Sequence, residues 1–181
     1  ISGGAGSDVI FGDHGHMSYI GPDYYGAANF DLGTLDLVES IYTEAQYGKG
    51  DFITDDDSDD IIFGGQGDDV IDAGAGQNIV FGDHGKILGA MSGVNRPIGD
   101  PDTDKTDDNY QVQALGLVTS IDWGTINGAD NEFGNDNDTI TTGIGRDMIF
   151  GGGGNDVINA YASSGGTAAL DGNNIVFGDH G

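Results

Sequence analysis

Cysteine is absent from the 181 residues, which excludes disulfides and thiolate metal sites. Positive charge is nearly absent: five Lys and Arg stand against 31 Asp and Glu, for a formal net charge of -26. No basic patch can form for phosphate, so nucleic acid is excluded as a partner. No apolar run approaches membrane-spanning length, which excludes insertion by a helix. No signal peptide is visible and the chain opens on "ISGGAGSD", so it reads as a fragment of something longer. What is present is Gly, 35 residues of it, and Asp; Glu39, Glu44 and Glu132 are the only other acids. Asp is short and sits well in turns. A chain so charged repels itself unless a cation neutralises it, and an all-oxygen donor set suits a hard divalent ion.

Internal repetition organises the rest. "GGAGSDVIF" (3–11), "GGQGDDVID" (64–72) and "GGGGNDVIN" (151–159) fit Gly-Gly-x-Gly-x-Asp-x-U-x, with U large and apolar. "DDDSDDIIF" (55–63), "AGAGQNIVF" (73–81), "FGNDNDTIT" (133–141) and "TGIGRDMIF" (142–150) keep the same nine-residue frame. Six residues form a turn in which Gly permits positive φ. Three form a short strand with U facing inward. Strand and turn alternate into an all-β, right-handed parallel β-roll (a β-solenoid), two nonapeptides to a coil. A linker would not hold an apolar residue in register at every ninth position.

The pattern resembles the RTX family, the calcium-binding nonapeptide repeats of secreted bacterial proteins. The resemblance covers 1–15, 55–85 and 133–181. It implies several Ca²⁺ ions between stacked turns, held by sixth-position side chains and by the backbone carbonyls of Gly65, Gly67, Gly152 and Gly154. Those side chains are Asp8, Asp60, Asp69, Asn78, Asp138, Asp147, Asp156 and Asn174. Stacked partners are expected 18 residues apart, pairing Asp138 with Asp156, Asp156 with Asn174 and Asp60 with Asn78. By that spacing Asp69 would meet Ile87 and Asp147 would meet Gly165, which leaves both without a carboxylate partner. "FGDHG" recurs at 11–15, 81–85 and 177–181. It is expected to be a terminal turn, with Asp13, Asp83 and Asp179 as ligands that close the last site of each block. "AYASSGGTA" (160–168) is expected to be a degenerate turn that keeps the frame and lengthens the last block by one coil.

The resulting division is 1–15 end of a roll block, 16–54 excursion with one or two strands, 55–85 roll block, 86–132 excursion with an acidic loop and a strand, and 133–181 roll block. "LDLVESI" (35–41) and "LGLVTSI" (115–121) favour strand. An exposed row of Phe11, Phe63, Phe81, Phe150 and Phe177 would be unfavourable, so the excursions are expected to lie back over it, with a second copy of the chain as the rival cover. "GDPDTDKTDD" (99–108) begins like an EF-hand loop, but Lys105 replaces the required Gly and Gln111 the closing Glu. The recurrent histidines (His14, His84, His180) read as structural, each ring bonding a neighbouring turn. No nucleophile or zinc-protease motif is present, and no enzyme activity is expected. The expectation is a calcium-stabilised structural module of a large extracellular bacterial protein (adhesin stalk, surface layer or filament), with neighbouring repeats and other copies as partners. RTX resemblance implies export by type I secretion. The alternatives are a glycan- or ice-binding module, with Tyr19, Tyr24, Tyr25, Tyr42 and Tyr47 or "TITT" (139–142) as the contact surface, and a non-catalytic tail of a hydrolase or toxin.

Overall fold

The computed structural model describes residues 1–19, 35–41, 48–89, 91–92, 94–95, 115–121, 136–160 and 172–179. Among these the chain is all-β and has no helix. In chain order the strands are β1 (Val9–Phe11), β2 (Gly15–Tyr19), β3 (Leu35–Ser40), β4 (Phe52–Thr54), β5 (Ile61–Phe63), β6 (Val70–Asp72), β7 (Ile79–Phe81), β8 (Gly85–Gly89), β9 (Met91–Ser92), β10 (Val94–Asn95), β11 (Leu115–Ser120), β12 (Thr139–Thr141), β13 (Met148–Phe150), β14 (Val157–Asn159) and β15 (Ile175–Phe177).

The nonapeptide strands alternate between two parallel sheets. One runs β1-β5-β7-β13-β15 and the other β14-β12-β6-β4. Each three-residue strand is positions seven to nine of a repeat, so the middle residue turns inward. Ile53, Ile62, Ile71, Val80, Ile140 and Ile149 are those middle residues, each at most 1% exposed, and with Ile10 and Ala73 they form one core between the sheets. The turns work because Gly65 and Gly67 hold φ of 112° and 121°, values that a Cβ disfavours.

The excursions build a third layer. β2 with β3, and β8 with β11, form two antiparallel hairpins, and β3 pairs with β8 to join them into one sheet ordered β11-β8-β3-β2. Val38 and Ile87 are fully buried against Phe63, Phe81 and Phe150, with Met17 and Val118 beside them. The five Phe rings form a continuous stack with centroids 4.7 to 5.0 Å apart. The hairpin layer therefore covers Phe63, Phe81 and Phe150 and packs against Phe11, as the cost of exposing them requires, while Phe177 in the last strand of the sheet is 40% exposed. Both hairpins leave the parallel sheet two strands apart, after β1 and after β7. Each adds two strands to its own sheet, so the layers advance together at the common strand spacing of about 4.8 Å.

Several expectations change. Residues 48–54, assigned to the first excursion, belong to the stack: β4 pairs with β6 in register Phe52↔Val70. "FGDHG" does not end a block. β7 pairs with β13 across the second excursion, so the sheets continue and the hairpins are insertions. β13 pairs with β15 at an offset of 27 residues, not 18. That is one nonapeptide more than the expected coil, and of "AYASSGGTA" only Ala160 lies within the described residues. The acidic tract 99–108, His180, and Tyr24, Tyr25, Tyr42 and Tyr47 lie outside the described residues.

Candidate metal centre

The turns stack into two columns, one along each edge of the paired sheets. On the edge from which the hairpins emerge, the backbone N–H of Asp51 donates to Asp69 Oδ1 (2.7 Å), that of Asp69 to Asp138 Oδ1 (2.8 Å) and that of Asp138 to Asp156 Oδ1 (3.0 Å). On the opposite edge the ladder runs from Asp8 to Asp60 (2.9 Å), Asn78 (3.0 Å), Asp147 (3.0 Å) and Asn174 (2.8 Å). The expected neighbours Asp138 with Asp156, and Asp60 with Asn78, stand on adjacent rungs. Three other pairings are corrected. Asp69 meets Asp138 rather than Ile87, because the intervening hairpin is looped out. Asp147 meets Asn174 rather than Gly165, and Asn174 is consequently not the neighbour of Asp156.

These ladders use one carboxylate oxygen and leave the other. Asp60, Asp69 and Asp138 are each 1% exposed, and the Oδ2 of each is buried without a hydrogen-bond partner. Such an oxygen is costly to bury unless a cation or donor meets it. Burial pushes the carboxyls of Asp60 and Asp69 up to about 7, Asp83 to about 8 and Asp138 to about 9. Neighbouring carboxylates add to the shift: Asp51, Asp13 and Asp136 on Asp69, and Asp83, Asp69 and Asp156 on Asp138. The donor set is all oxygen, unpartnered and electron-rich, which fits a hard cation. Gly65, Gly67, Gly152 and Gly154 sit in the same turns as Asp69 and Asp156, all with positive φ.

Every residue of "FGDHG" has a physical task. The Phe joins the ring column. A Cβ on Gly12 or Gly82 would fall on the carbonyl of the next coil, at Gly64 and Gly151 respectively. Asp13 Oδ2 accepts the Gln66 N–H (2.8 Å) and Asp83 Oδ2 accepts the Gly153 N–H, so each reaches the next turn from the point where the chain departs. Asp83 lies on the turn over 64–69 as expected, but its carboxylate faces the 151–156 turn. The His84 ring, 6% exposed, places Nδ1 3.1 Å from Ser40 Oγ, which also accepts the Gly85 N–H. It clasps the neighbouring hairpin, not a neighbouring turn. Burial drives its pKa down to about 4. Gly15 and Gly85 leave room for the rings of Phe11 and Phe81. Asp179 follows β15 in the same place and is exposed.

Sequence reasoning missed Asp51 and Asp136. Asp51 stands nine residues before Asp60, and "GKGDFIT" (48–54) is the tail of a split repeat, so its frame was visible. Asp136, whose carboxyl is raised by burial and by Asp68 and Asp13, takes a fourth position where Gly is usual; no sequence signal marked it.

A family model, the RTX calcium-binding nonapeptide repeat (4 copies), matches residues 1–16, 48–85 and 134–162. No curated protein and no solved structure matches the chain. The matched segments contain the stack strands β1, β4 to β7 and β12 to β14, while β15 lies beyond the last of them.

Proposed function

The chain belongs to the RTX calcium-binding nonapeptide-repeat family, and from that premise we propose that it is a non-catalytic structural module of a secreted bacterial protein that folds as a right-handed parallel β-roll on meeting extracellular calcium. RTX repeats bind several calcium ions. The observation that carries the reading is the set of buried, unpartnered Oδ2 atoms on Asp60, Asp69 and Asp138. Calcium supplies the charge that lets these carboxylates be buried ionised. Asp8, Asp51, Asp60, Asp69, Asp138 and Asp156 are the residues that would hold it, with Asp13, Asp83 and Asp136 beside them. Metal binding of this kind is folding free energy, and millimolar calcium fills sites with Kd near ~10⁻⁴–10⁻³ M. A rigid extension built of stacked coils suits an adhesin stalk, surface layer or filament, exported unfolded by type I secretion.

A calcium titration of the 181-residue chain followed by far-UV circular dichroism tests this, with magnesium as control. A cooperative gain of β signal with calcium alone is expected. A fully folded spectrum in chelator would sink the metal-coupled mechanism.

A further inference from the structure

The opposite edge of the stack, away from the hairpins, treats its rungs unequally. Its first-position residues are Gly3, Asp55, Ala73 and Thr142, where the nonapeptide pattern has Gly. At Thr142 the hydroxyl donates to Asp147 Oδ2 at 2.7 Å. At the two amide rungs, Asn78 Nδ2 donates to the Gly74 carbonyl at 3.4 Å and Asn174 Nδ2 to the Ala160 carbonyl at 2.9 Å. In these three rungs an N–H or O–H proton stands where a cation would otherwise bridge oxygen to oxygen.

The lower end of the same column has the reverse arrangement. Carboxylate oxygens of Asp8, Asp55 and Asp60 lie within 4.8 Å of one another. The Oδ2 of all three is buried and without a hydrogen-bond partner, and Asp60 as a whole is 1% exposed. Asp55 is not one of the repeat's sixth-position ligands. Its carboxyl group lies over Gly3, where a Cβ would collide with it, so the neighbouring glycine makes room for the third acid.

We propose that Asp8, Asp55 and Asp60 form a three-carboxylate cation site, and that the column above it (Asn78, Asp147, Asn174) is closed by hydrogen-bond donors and takes no ion. Three carboxylates around one position carry more charge than the rungs above it, where an amide or a hydroxyl takes the place of a carboxylate, and charge count raises affinity for hard cations. A trivalent lanthanide of calcium's size is held more firmly still by the same charge. The proposal rests on the calcium reading above.

The test is calcium stoichiometry by equilibrium dialysis, with terbium luminescence lifetime as a second reading, on the wild-type chain, Asp55→Asn and Asp55→Gly. Asp55→Asn keeps the shape and guards against misfolding of the Gly variant. The expected result is that one ion of the wild-type stoichiometry binds at least ~10-fold more weakly while the other ions bind as before. Thr142→Val is expected not to lower the number of ions bound. Unchanged binding in Asp55→Asn, with calcium still bound by the wild type, would overturn this site alone. Loss of an ion in Thr142→Val would overturn the closed column. A wild type that binds no calcium takes down the functional reading and this one together.

Discussion

The two parallel sheets are made from the same nonapeptide, share one core and meet the same turns, yet their outer faces have opposite fates. In the β1-β5-β7-β13-β15 sheet the ninth position is Phe in every strand, and Phe63, Phe81 and Phe150 are at most 2% exposed. In the β4-β6-β12-β14 sheet the ninth positions are Thr54, Asp72, Thr141 and Asn159. There even the apolar seventh positions lie open, with Phe52 64% and Val157 63% exposed. The inner residue U builds the stack and does not distinguish the sheets. One outer residue in nine decides which face acquires a second layer, because a column of Phe is worth covering and a column of Thr, Asp and Asn is solvated as it stands.

Acidity tests this contrast most severely, because it acts on many groups at once. The carboxyls of Asp60, Asp69, Asp83 and Asp138 sit at about 7, 7, 8 and 9, against an ordinary 3.8. Without calcium the folded stack therefore binds protons that the unfolded chain has lost between roughly pH 4 and 9. Its stability falls as pH rises through that window. His84 has the opposite sign. Its folded pKa of about 4 lies below the ordinary 6.5, so the hairpin layer loses stability as pH falls from 6.5 towards 4. In chelator, where most of the chain is unfolded near neutral pH, hydrogen exchange of the residual folded population is expected to show the stack protected better at pH 5 than at pH 8, and the hairpin strands β3 and β8 protected worse relative to it. Equal responses in both layers would refute the division. With saturating calcium the carboxylates are ionised in the fold, so acid is expected to destabilise the stack instead.

Substitution gives the next largest effect. Phe81→Ala is expected to cost about 3–5 kcal/mol in calcium-saturated denaturant melts, whereas Asp72→Ala, at the same position of the other sheet, stays within about 0.5 kcal/mol. Comparable losses would mean that the faces are not distinguished by the ninth residue. The smallest effect is at the seam between the hairpins. Ser40→Ala removes the acceptor for the Gly85 N–H and the partner of His84, and is expected to cost about 1–3 kcal/mol. Its signature is faster hydrogen exchange at β3 and β8 with the parallel strands unchanged.

Much of this was legible in the sequence because nine-residue spacing is local. The frame, the inward Ile and Val residues, the Phe column and the strands at 35–40 and 115–120 all follow from periodicity and propensity. What escaped was long-range. Asp69 meets Asp138 through 69 residues of chain and Asp147 meets Asn174 through 27, distances that no fixed repeat predicts. The hairpins interrupt a turn midway, between Asp83 and Asp136, so half of a repeat stands on each side of a long insertion and neither half looks complete. The strands β2 and β8 begin inside "GDHG", where glycine hides strand propensity.

The equal advance of the two layers has a further consequence. Each hairpin contributes two strands while the stack contributes two coils, so the architecture works as a pair of meshed gears with a fixed ratio. Residues can be added within a hairpin, or between β14 and β15, without disturbing the mesh. A single extra coil between hairpins would throw every later hairpin out of step with its neighbour. Growth is thus quantised: such a protein lengthens by duplicating the whole two-coil, one-hairpin unit, and variation in length collects in the connections, where it costs only the slowly growing entropy of loop closure.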